Sequence, residues 1–171
     1  MSILNVEIKA HCHDADAVRE VLKAHHADYK GLDHQVDTYF RVPQGRMKLR
    51  QGTIENNLIY YERGNTAEPK ASSIRLHPVQ ESASLHALLN DALGVQIVVD
   101  KQREIYFIDN VKFHIDTVDE LGHFVEIEAI DTDGSIGEER LREQCNRYME
   151  LLGIREEDLV AVSYSDLISK R

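Results

Sequence analysis

The chain has 171 residues, 42% of them hydrophobic and 29% charged, which suits one globular domain with a real core and is too apolar for disorder. Thirty acidic against twenty basic residues give a formal charge of −10, which disfavours nucleic-acid binding through a broad basic face. No apolar run approaches the ~18 residues of a membrane span.

Residues 1–171 read as a single domain, since no linker long enough to separate two units interrupts them. The opening MSILNVEIKAH lacks the basic and apolar segments of a secretory signal, so the expected address is cytoplasmic. Cys12 and Cys145 are too few for a disulfide framework and are expected to remain thiols.

Period-2 alternation dominates and predicts about eight strands. Residues 3–9 set Leu4, Val6 and Ile8 against Asn5, Glu7 and Lys9. A helix over 14–27 follows, burying Val18, Val21 and Leu22. Strands are expected at 35–42, 46–51 and 58–63, the last two joined by the Glu-Asn-Asn turn at 55–57. Residues 64–72 read as a long loop before a strand at 73–77. A helix over 83–93 carries Leu85, Leu88, Leu89 and Leu93 and stops at Gly94. Strands at 95–108 and 111–118 flank an Asp109-Asn110 turn, and 123–130 is the last. A helix over 136–152 is announced by Ser135 with Glu138 and buries Leu141, Cys145, Tyr148 and Leu152, and a short helix is expected over 156–168. Hairpin-linked strands with interspersed helices predict an α+β fold on an antiparallel sheet.

The polar strand faces sort their charges by strand. They hold Glu7 and Lys9, then Asp37 and Tyr39, Lys48 and Arg50, Arg63, Arg75, Lys101 and Arg103, His114 and Asp116, and Glu126 and Glu128. Residues two apart point the same way, roughly 6.5–7 Å from each other. Alternation by itself fits an open sheet whose charged face is ordinary solvated surface. The other reading is a barrel of eight strands, with the polar faces turned into a lumen. Like charges standing side by side favour the lumen, because they cost energy unless a counter-ion or ligand lies between them. Converging carboxylates there suit a hard divalent cation, Mg²⁺ or Mn²⁺, and the Lys/Arg cradle suits a chain of phosphates. Metal and cradle together are the apparatus of phosphoryl or nucleotidyl transfer. The His11-Cys12-His13 cluster lacks a matching Cys/His pair at finger-like spacing and reads as polar residues at a helix entry.

The segments NVEIK, DTYF at 37–40, KLR at 48–50, VDKQREIYF at 99–107, HIDTV at 114–118 and FVEIE at 124–128 occur in an order that resembles the CYTH superfamily, the triphosphate tunnel metalloenzymes. The closing SYSDL at 163–167 is similar to the class IV adenylyl cyclase-like branch. The resemblance implies an eight-stranded antiparallel closed barrel, with helices outside, around a triphosphate-bearing small molecule. It implies Glu7, Asp116, Glu126 and Glu128 as metal-binding acids for Mg²⁺ or Mn²⁺, with Glu7, Glu126 and Glu128 catalytic. It further implies Lys9, Lys48, Arg50, Arg63, Arg75, Lys101 and Arg103 as phosphate-binding bases. Asn5 stands where the family usually has a Glu, keeping an oxygen donor but losing a charge that bears on a second metal position. The expected activity is conversion of ATP to cyclic AMP and pyrophosphate, with a triphosphatase or a non-catalytic polyphosphate-binding module as alternatives. No nucleic-acid or membrane partner is expected, and a homodimer is admissible.

Overall fold

The structure is a computed structural model and describes residues 2–62, 64 and 66–171. Its eight strands are β1 (Ile3–His11), β2 (Asp28–Phe40), β3 (Arg46–Gly52), β4 (Asn56–Glu62), β5 (Lys70–Pro78), β6 (Val95–Ile108), β7 (Val111–Val118) and β8 (Gly122–Asp131). They close antiparallel in the order β1-β5-β4-β3-β2-β6-β7-β8, with β1 hydrogen-bonded to both β5 and β8. Closure removes the open edges and turns one face of each strand inward. The helices are α1 (Ala15–Ala24), α2 (Ser82–Leu93), α3 (Glu138–Leu151) and α4 (Tyr164–Ser169), all outside the barrel wall or across its end.

The main core lies outside the lumen. Val6, Ile8 and Ala10 of β1, Val111, Phe113 and Ile115 of β7, and Val125, Ile127 and Ala129 of β8 face α1 and α3. They meet Val18 and Leu22 of α1 and Leu141, Cys145 and Tyr148 of α3. Each large apolar side chain buried in this way contributes roughly 1.5–3 kcal/mol. The opposite faces of these strands are thereby committed to the interior, polar as they are.

Three sequence expectations shift, in the start of β2, the C-terminal helix and the cap of α3. β2 begins at Asp28 rather than 35, because Gly31 takes φ +124 at a bulge and carries the polar stretch 28–34 along β6. The helix expected over 156–168 is a 3-10 turn at Glu156–Asp158, an extended stretch, and then α4. Ser135 does not cap α3; Gly137 does, and the Asp131 carboxylate accepts instead from the backbone N–H groups of Asp133, Gly134, Ile136 and Gly137. α2 buries none of its leucines, and Leu88 is 61% exposed.

The C-terminal segment closes one end of the tunnel. Val160 donates its N–H to the Lys9 carbonyl, and Val160 and Tyr164 join Tyr39, Ile59, Tyr61, Val99, Val118 and Phe124 in a second apolar cluster. α4 starts on a reciprocal cap between Ser163 and Asp166. Arg46 of β3 holds it in place, donating to Asp166 at 2.8 and 3.0 Å, to Ser165 Oγ at 3.1 Å and to Ser163 Oγ at 3.3 Å.

Candidate active site in the tunnel

The barrel surrounds a cavity of about 120 Å³ that is open to solvent. Period-2 alternation delivers its walls. β1 contributes Glu7 and Lys9, β3 Lys48 and Arg50, β6 Lys101 and Arg103, β7 Lys112 and His114, and β8 Glu126 and Glu128. β2 adds Asp37 and Tyr39. Across β4 and β5 the lining turns less charged, with Asn57, Ile59, Tyr61, Ser72, Ile74 and Leu76.

That last wall corrects one expected base. Arg75 lies opposite Tyr60 on the outer surface, exposed, while Ile74 and Leu76 point inward. No helix packs substantially against β4 or β5 among the described residues, so their outer faces meet water and their apolar residues turn into the lumen. Alternation in SIRLH gave two faces without saying which was inside. The expected base Arg63 lies outside the described residues.

The cations and carboxylates form three linked groups. Asp37 is the hub of the first: its carboxylate accepts from Arg50 Nε at 2.9 Å and Nη2 at 2.8 Å and from Lys101 Nζ at 2.7 Å, with Lys48 Nζ at 3.5 Å. In the second, Arg103 donates a two-pronged fork to Asp116 at 2.8 and 2.7 Å and reaches Glu126 Oε1 at 3.0 Å. Tyr164 Oη donates to the same Asp116 carboxylate at 2.7 Å. Asp116 is fully buried behind the lining and oriented by these two partners, whereas Glu7, Glu126 and Glu128 border the cavity. Glu7 faces Glu128 across the strand pair, and Lys9 faces Glu126. Asn5 donates its Nδ2 to Glu128 Oε1, which explains how an amide fits beside that carboxylate.

The third group escaped the sequence. Glu55, in the turn between β3 and β4, accepts from Lys112 Nζ at 2.6 Å and lies 3.8 Å from Arg50 Nη1. The turn is fixed by buried Asp33, which accepts from Thr53 Oγ1 and from the N–H groups of Ile54 and Glu55. Gly52 permits this, because a Cβ there would come within 2.5 Å of the Glu55 carbonyl. A turn has no periodicity to place its side chains, so Glu55 carried no signal. Lys112 had one, being two residues before His114.

The charges hold one another in unusual states. Burial pulls the Lys101 ammonium down to about 7, aided by Arg103, Arg50 and Lys48 and opposed by Asp37. Burial also lowers Lys9, which forms no ion pair among the described residues and sits 4.0 Å over the Tyr164 ring. Burial opposes ionisation of Glu126, but Arg103 and Lys9 outweigh it and hold the carboxyl well below the usual range. Glu55 behaves likewise under Lys112 and Arg50, at about 2. Burial, with Arg103, keeps His114 below its ordinary value and so neutral at pH 7.

The profile of the CYTH domain matches residues 4–164. The chain belongs to the CYTH domain family. Comparison with curated proteins gives no match. Among solved structures, the PH1012 protein of Pyrococcus horikoshii OT3 superposes with a TM-score of 0.81 at 24% identity, covering 95% of this chain and 98% of that one. The Pfu-838710-001 protein of Pyrococcus furiosus gives 0.80 at 21% identity, covering 95% and 99%. A candidate adenylate cyclase from Vibrio parahaemolyticus gives 0.80 at 21% identity, covering 97% and 98%. These similarities establish a shared fold over the full CYTH barrel.

The donor chemistry of this CYTH tunnel fits a divalent cation. Glu7, Glu126 and Glu128 offer carboxylate oxygens on one stretch of wall, and the Asn5 Oδ1 beside them is buried without a partner among the described residues. Among the described residues, His114, Asp116 and Glu126 also bring ligand atoms within 4.8 Å of one another.

Two outcomes follow from the charge groups. Glu55→Gln is expected to release Lys112 and Arg50 and to tighten tripolyphosphate binding by about tenfold at low salt, as one opposing charge is removed. Calorimetric titration checks this, and unchanged or weaker binding would count against a compensating role for Glu55. For Lys101, the groups facing it are Asp37, Lys48, Arg50, Arg103 and Tyr164. Below about pH 7 the ammonium is charged and assists an anion; above it, the affinity advantage of wild type over Lys101→Met should shrink by up to about tenfold per pH unit. Titrating both proteins with tripolyphosphate across that range, without metal, reads the ratio, and a constant ratio would contradict the lowered value.

Proposed function

We propose that this chain is a metal-dependent enzyme acting on a nucleotide or organic triphosphate inside the tunnel, with cyclisation of ATP as the leading reaction. The observation carrying this reading is the lumen lined by Lys48, Arg50, Lys101 and Arg103 together with Glu7, Glu126 and Glu128, with Lys9 standing beside Glu126. Arg side chains grip phosphate oxygens in pairs and Lys side chains act as point charges, so a triphosphate replaces the internal carboxylates as their partner.

Glu7, Glu126 and Glu128 would hold Mg²⁺ or Mn²⁺, with Asp116 keeping Arg103 and the neighbouring donors in place. Bound there, such an ion would supply Lewis-acid stabilisation of charge on the phosphoryl oxygens and would lower the pKa of a hydroxyl. In cyclisation, the ribose 3′-hydroxyl would give its proton to a carboxylate of this wall as its oxygen attacks the α-phosphorus; the bond from that phosphorus to the α–β bridging oxygen breaks, and pyrophosphate departs. Lys9, Lys48 and Arg50 would hold the β- and γ-phosphates and stabilise the charge that accumulates on that leaving group. Tyr164 and the closed α4 end would keep bulk water from competing with the ribose oxygen.

A metal-dependent panel of ATP, GTP, thiamine triphosphate and tripolyphosphate, with products identified, tests the reading. Cyclic nucleotide with pyrophosphate supports it. Orthophosphate with a diphosphate would make the protein a triphosphatase using the same cradle. Tight binding without turnover would indicate a binding module, a reading favoured by the uncharged Asn5 at the metal wall.

A further inference from the structure

We infer that His114 supplies a nitrogen ligand to the tunnel's cation together with Glu126, so that the site selects Mn²⁺ over Mg²⁺. The inference rests on the proposed metal wall and specifies its donors.

His114 projects from β7 into the lumen and is 2% exposed, yet neither ring nitrogen has a hydrogen-bond partner among the described residues. A buried imidazole with both nitrogens unsatisfied is costly and calls for an occupant of its site. Its Nδ1 lies 3.8 Å from Glu126 Oε2, too far for a hydrogen bond. Two donors sharing one ion, each at about 2.0–2.2 Å from it, lie within roughly 4.4 Å of each other, and this pair satisfies that limit. Glu126 Oε1 is already engaged by Arg103, which leaves Oε2 for the ion. Both Asp116 oxygens are engaged too, by Arg103 and Tyr164, so the third member of the cluster supports the wall from behind.

The neighbouring chemistry points the same way. Asn5 donates its amide to Glu128, so one oxygen of that carboxylate is also engaged and the wall holds an amide in place of a further charge. Mg²⁺ is held chiefly by charge and oxygen ligands and keeps its waters, whereas imidazole is a donor that first-row transition ions accept far more readily. A wall with engaged carboxylates and a vacant imidazole therefore favours Mn²⁺.

The test uses the full chain loaded with Mn²⁺ alone, without triphosphate. Pulsed electron paramagnetic resonance should show coupling to a directly bound ¹⁴N in wild type. The coupling should vanish in His114→Ala and in His114→Gln, the second keeping side-chain volume should the first fold poorly. In competition titrations, wild type should bind Mn²⁺ at least about tenfold more tightly than Mg²⁺, and His114→Gln should lose most of that ratio. Bound Mn²⁺ without nitrogen coupling, or coupling that persists in both variants, would overturn the inference while leaving the carboxylate wall standing. Failure of wild type to bind Mn²⁺ at all would overturn the metal wall as well, and tripolyphosphate titration without metal would then show whether the cradle survives.

Discussion

Turnover should fall by at least about a thousandfold when Glu126 and Glu128 are both replaced by glutamine, with the barrel intact. The two carboxylates sit on one strand facing the cavity, and Glu7 stands opposite Glu128. Glutamine at 126 can still accept from Arg103, whose fork to Asp116 is untouched. Arg103 and Lys9 hold Glu126 ionised, so losing its charge should cost stability, on the order of 1–3 kcal/mol, kept below the loss of a whole buried pair by the hydrogen bond glutamine still accepts. Initial-rate assays on the productive substrate, beside thermal melts, separate the two effects. A variant that is folded at the assay temperature and still turns over would refute the role given to this wall.

Much of this arrangement was legible because strand alternation is strict. Once Val6, Ile8, Phe113, Val125 and Ile127 are committed to the core beneath α1 and α3, Lys9, His114, Glu126 and their neighbours have only the lumen left. The same rule misplaced Arg75, since β4 and β5 lack a covering helix and their apolar residues face inward. Periodicity says which side chains share a face; which face is inside depends on what packs behind the strand. Asp116 shows a second limit: it shares the inward face of β7 as alternation predicts, but its partners, the Arg103 fork and Tyr164 Oη from a helix 48 positions away, follow from tertiary contacts that no repeat encodes. Glu55 shows a third, because its position depends on the hydrogen bonds of Asp33 rather than on any repeat.

The tunnel balances its charges before any ligand arrives. Lys9, Lys48, Arg50, Lys101, Arg103 and Lys112 stand with Glu7, Asp37, Glu55, Asp116, Glu126 and Glu128 in or just behind one wall. Asp37 compensates the largest share, contacting Arg50 and Lys101 and drawing in Lys48 while only 1% exposed. Burial alone would protonate it, but Arg50, Lys101 and Lys48 hold it well below the usual carboxylate range. Asp37→Asn removes that charge and leaves buried cations facing one another, which should cost about 3–5 kcal/mol. For a chain of this size, each kcal/mol lowers the melting temperature by roughly 2–4 °C. A triphosphate brings several negative charges to the same cations, so saturating tripolyphosphate should stabilise Asp37→Asn more than wild type and narrow the gap. If the two proteins melt together without ligand, or if tripolyphosphate raises both equally, Asp37 is not the internal counter-ion whose place the phosphates take.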